Sequence, residues 1–136
     1  MPKEGIAARI LLFGLDEGLG SELRGVLTNQ QQSVYSEPFV PPPGCLRVVD
    51  RIGADLIFCS SERERYLALL EAIAQFRPDL PVVVVSRTPE VSEWLDAIEA
   101  GASDYCAAPF ETSHIQWILD STLKHHSAPA LFRTAG

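Results

Sequence analysis

Residues 81–86 read Pro-Val-Val-Val-Val-Ser, and these four consecutive valines decide how the rest of the chain is read. β-branched side chains are stiff at χ1 and fit a pleated strand, and an uninterrupted apolar run implies a strand covered on both faces, as in a parallel sheet between helices. Similar runs occur at Ile10–Phe13, ending at Gly14, and at Leu56–Cys59, ending before Ser60. Two weaker strands are predicted. One lies around Val34 and Tyr35 and must stop before Pro38 and the triple Pro41, Pro42, Pro43, because proline cannot donate to a ladder. The other, Asp104–Ala107, stops before Pro109.

Between these runs the apolar period becomes helical. Asp16 is placed to cap a helix whose inward stripe is Leu19, Leu23, Val26 and Leu27. Leu46, Val48, Val49 and Ile52 allow a short helix that Gly53 closes in a left-handed conformation. Glu62–Phe76 carries Tyr66, Leu69, Leu70 and Ile73 at i, i+3, i+4 and i+7, with charges opposite. Thr88 is placed to cap a helix with Pro89 at its first position, burying Val91, Trp94, Leu95 and Ile98 and closing at Gly101. The last helix runs from Thr112 to His126 with Ile115, Ile118, Leu119 and Leu123 inward.

Strand and helix alternate through the chain without internal repeats or a linker. The expected architecture is α/β: a flavodoxin-like three-layer sandwich, with a five-stranded parallel sheet of order 2-1-3-4-5 and helices on both faces. One domain is expected over residues 1–126, followed by a loosely attached tail, 127–136.

Composition narrows the function. A 46% hydrophobic content suits one substantial core in 136 residues, and 18 acidic against 11 basic residues give a net charge of -7. That charge repels nucleic-acid phosphates, so no nucleic-acid partner is expected. The apolar runs are too short to span a bilayer and the start has no signal-peptide core, so the expected location is the cytoplasm, away from membranes. Cys45, Cys59 and Cys106 are far apart and odd in number, which argues for free thiols. Lys124, His125 and His126 suit the carbonyl end of the last helix, and with His114 they make no metal site. No cofactor is expected.

In sheets of this kind chemistry gathers at the carboxyl ends of the strands. The segments there, ARILLFGLDEG (8–18), ADLIFCS (54–60), PVVVVSRT (81–88) and GASDYCAAPF (101–110), resemble the receiver domains of bacterial two-component response regulators, the CheY-like family. The last is the most specific, with Gly-Ala-x-Asp-Tyr followed three residues later by Pro-Phe. The resemblance covers nearly all of Ala8–His126.

Receivers need a nucleophilic carboxylate ending strand three, an acidic pair after strand one to hold Mg²⁺, a hydroxyl after strand four and a lysine before the proline. Counted from Asp55, the nucleophile position falls on Ser60, which cannot form an acyl phosphate. The acidic pair aligns with Gly14 and Leu15, with Asp16 and Glu17 as possible substitutes, and the lysine with Ala108. Ser86 keeps the hydroxyl type and Tyr105 matches the family's switching aromatic.

The resemblance therefore implies a pseudo-receiver: a non-enzymatic signalling module, not phosphorylated by the usual aspartyl route, that docks on other proteins. Its partner would be a histidine kinase, another signalling protein or a second copy, met through helix 4, strand 5 and helix 5, with Trp117 and Tyr105 as candidate contacts. The rival reading is a small-molecule-binding or flavodoxin-like domain using the strand-end crevice, which replacement of charges by Gly14, Leu15, Ser60 and Ala108 would leave suited to an uncharged ligand.

Overall fold

A computed structural model describes residues 7–127, with side chains as far as Leu123. The expected tail, apart from Ser127, and the side chains of Lys124, His125 and His126 lie outside the described residues.

The chain alternates β1 (Arg9–Phe13), α1 (Glu17–Asn29), β2 (Ser33–Glu37), α2 (Gly44–Ile52), β3 (Leu56–Ser60), α3 (Arg63–Phe76), β4 (Val82–Ser86), α4 (Val91–Glu99), β5 (Asp104–Ala107) and α5 (Thr112–Ser127). The strands form one parallel sheet in the order β2-β1-β3-β4-β5, the flavodoxin-like arrangement expected from the sequence. Alternate side chains feed two cores, as the pleat requires. Leu11, Phe13, Ile57, Cys59, Val82, Val84 and Tyr105 meet α2, α3 and α4, while Ile10, Leu12, Leu56, Phe58, Val83, Val85 and Cys106 meet α1 and α5.

Local chemistry sets the helix limits. The Asp16 carboxylate accepts the Leu19 N–H at 2.9 Å and opens α1. Gly53, at φ 71°, ends α2 with its N–H on the Val49 carbonyl.

Helix α4 departs from expectation. It begins at Val91 behind Glu90, which makes no side-chain cap, so Thr88 and Pro89 belong to the preceding loop. Of its side chains only Ala97 is buried; Val91, Trp94, Leu95 and Ile98, expected to be the inward stripe, are exposed, with Val91 at 70% and Leu95 at 52%. The period identified an apolar face correctly but not its cover. A nine-residue helix beside the four-residue edge strand β5 meets the sheet through its smallest apolar side chain.

Candidate functional site at the strand ends

Parallel registration brings the singled-out positions to one edge of the sheet. Phe13 pairs with Cys59, Ser60 with Val85 and Ser86 with Ala107, so Gly14, Ser60, Ser86 and Ala108 all lie where strands end. A crevice of about 390 Å³ opens there, lined by Gly14, Leu15, Asp16, Ser60, Arg65 and Arg87 among others.

Ser60 is engaged locally. Its Oγ accepts the Glu62 N–H at 3.0 Å, tightening the turn into α3. The Glu62 carboxylate in turn holds Arg65 at 2.9 Å, and the Arg65 guanidinium lies 5.2 Å from the centroid of the Phe39 ring. Phe39 packs on Phe13 with centroids 5.3 Å apart.

This stack closes over Gly14. A Cβ at that position would stand 2.9 Å from the Phe39 Cβ and 3.5 Å from Arg65 Nη1, and the backbone there has φ +74°. An aspartate at 14 would meet that collision, and in a left-handed backbone that glycine adopts more freely than any other residue. The neighbouring Leu15 turns into the α1/α5 core, as does Ala108, whose N–H donates to the Ser86 carbonyl at 3.0 Å.

Asp16 spends its two oxygens on different tasks: Oδ1 caps α1, and Oδ2 meets Arg87 at 2.6 Å. The Leu19 N–H, opposed by burial and then helped by the Arg87 guanidinium, holds its carboxyl below the ordinary 3.8. Glu17 is exposed on the first turn of α1. A hard divalent cation wants several unengaged oxygens, whereas both acids flanking the crevice, Asp16 and Glu62, are neutralised by arginines. The donor set does not fit Mg²⁺.

The other half of the edge is differently built. Ser86 is buried and its Oγ donates to the Thr88 carbonyl at 2.9 Å. Tyr105, only 7% exposed, donates its phenolic O–H to Glu93 Oε1 at 2.6 Å, tying β5 to the first turn of α4. Burial, and secondarily the Glu93 carboxylate, raises the Tyr105 phenol above its ordinary value of 10.0, so the donor keeps its proton. Of the two candidate partner contacts, Trp117 is 59% exposed while Tyr105 faces inward. Cys59 and Cys106 are buried free thiols that burial pushes up to about 12, which keeps them protonated at neutral pH.

Arg65, Arg87 and Phe39 were not singled out in the sequence. Arg65 belongs to a charge run that reads as a solvated helix start, and Arg87 directly follows the strand-end Ser86. Position beside a strand end was the available signal. With both guanidinia lining it, the crevice is not the uncharged pocket expected from Gly14, Leu15, Ser60 and Ala108.

The topology is that of the receiver domains of response regulators. A response regulator from Chloroflexus aurantiacus J-10-fl superimposes with a TM-score of 0.75 at 20% identity, over 88% of this chain and 99% of that one. The receiver domain of NtrX from Brucella abortus gives 0.68 at 25% identity, over 85% and 98%. In sequence, the KDP operon transcriptional regulatory protein KdpE of Escherichia coli (strain K12) is 41% identical over 49 residues, which is 36% of this chain. The chain spans 22% of the length of that relative. No family model matches the chain.

Proposed function

We propose that this chain is a docking module of bacterial two-component signalling, receiver-like in fold but not phosphorylated by the aspartyl route. The observation that carries the reading is Ser60: a hydroxyl stands where receivers end strand three in a carboxylate, and it is already bonded to the Glu62 N–H. A serine cannot form an acyl phosphate, and its high pKa makes it a weak nucleophile without a positioned base.

The docking face is the side of α4, β5 and α5. Val91, Trp94, Leu95 and Ile98 on α4 and Trp117 on α5 present apolar and aromatic area to solvent, the residue types that anchor interfaces. The partner is a histidine kinase, another signalling protein or a second copy, in the cytoplasm. Among the described residues no helix is long and apolar enough to cross a membrane. Without a phosphoryl group, any change of state is driven by a partner's or ligand's differential affinity for two conformations.

The test is a backbone-amide titration with Mg²⁺ and beryllofluoride. No Mg²⁺-dependent change is expected at Ser60 or Ser86. Saturable Mg²⁺-dependent shifts at both would overturn the reading.

A further inference from the structure

We infer that the segment 128–136 of this chain docks in cis, through Leu131 and Phe132, into a groove at the opposite edge of the sheet from the strand-end crevice. The groove, about 950 Å³, lies at the amino ends of β4 and β5. Leu70 and Ala74 on α3 form one wall and Trp117 and Thr122 on α5 the other, with Pro81 and Gly101 between them. Gly101, at φ +113°, has nothing within 4 Å of where a Cβ would stand, so this part of the groove is open to a ring.

Position, reach and charge select this occupant. α5 starts past the carboxyl end of β5, and its Trp117 and Thr122 already line the groove at the amino ends. The helix closes at Ser127, about 8 Å beyond Thr122 at 1.5 Å per residue. Pro129, which lacks an N–H and clashes with the turn before it, disfavours continuing along the helix axis. Leu131 and Phe132 then stand about 13–17 Å of extended chain from Ser127, enough to cross the groove mouth from the helix that forms one of its walls.

The charges match as well. Asp79 is the one charged residue lining the groove, and no cation pairs with it among the described residues. Arg133 is the one charged side chain in 128–136 and directly follows Phe132. Burying Leu131 and Phe132 gains apolar contact, while ordering the residues that carry them costs backbone freedom of the same order, so docked and free forms are both populated. The docked form covers Trp117 and so withdraws one aromatic from the proposed docking face while leaving α4 bare. That consequence rests on the docking reading; the contact in cis does not.

The experiment is NMR on the full chain. Nuclear Overhauser contacts are expected from the Phe132 ring to the Ala74 methyl and the Trp117 indole, independent of protein concentration. Phe132→Ser should abolish them and shift the Trp117 indole and Gly101 amide signals. Arg133→Asp should lower the docked population about two- to fivefold, the range of one exposed ion pair, and adding Asp79→Arg should restore it. Absence of the contacts would overturn the inference, as would failure of the charge exchange to restore them. Contacts that grow with concentration would also overturn it, since a second copy's segment would then fill the groove. None of these outcomes touches Ser60 or α4, so the proposed docking module stands or falls separately.

Discussion

Helices α3 and α4 cover the same face of the same sheet, yet they are held in opposite ways. α3 buries Tyr66, Leu69, Leu70, Ala72 and Ile73, whereas α4 buries Ala97 alone and is fastened at its first turn by the Tyr105–Glu93 hydrogen bond. A fully buried large apolar side chain contributes roughly 1.5–3 kcal/mol, so α3 is integral to the core while α4 rests on it. Elements that move or exchange partners are drawn from the weakly held class. The difference gives α3 the structural work and makes α4 the freer of the two, which is what the proposed docking face asks of it.

The contrast is sharpest in truncations. Leu69→Ala should cost about 2–5 kcal/mol and lower the denaturant midpoint with the m-value unchanged. If it costs no more than a surface change, α3 is not the anchor described.

Next in size is Tyr105→Phe, which removes the tie to Glu93 and should cost about 1 kcal/mol. Hydrogen exchange should quicken across Val91–Glu99 and stay slow across Arg63–Phe76. Equal effects on both helices would erase the distinction.

A smaller effect follows from Asp16. Its folded carboxyl titrates below the ordinary 3.8, so its stabilisation is present above that value and fades as pH falls through the lower folded one. Asp16→Asn keeps a capping oxygen but not the charge, and its unfolding curves should show a shallower acid slope than the parent below about pH 4. Solvent exposure of the pair with Arg87 keeps this modest.

Smallest of all, Leu95→Ser should change stability by no more than about 0.5 kcal/mol, yet weaken partner binding or self-association. Unaltered association, measured by light scattering coupled to size exclusion for self-association and by calorimetry for a partner, would remove α4 from the docking face.

Much of the fold was legible because three of the five strands announce themselves: four valines in β4 and unbroken apolar runs in β1 and β3 admit little else. Helix α4 was legible as a helix but not in its orientation, since apolar residues at helical spacing state that a face exists and not what lies against it. At the site, the absence of acids at 14, 15 and 60 was readable from the sequence alone. What fills their place was not, because Phe39 arrives from the loop after β2 and Arg65 from α3, and only the folded sheet edge brings them together over Gly14.

The Phe39 ring above Gly14 also limits what substitution at this sheet edge can achieve. Gly14→Asp would have to displace the aromatic ring as well as hold a left-handed backbone, so a carboxylate there calls for a change in the β2–α2 loop first. Ser60→Asp alone would add one acid beside Asp16 and Glu62, both of which arginines already engage.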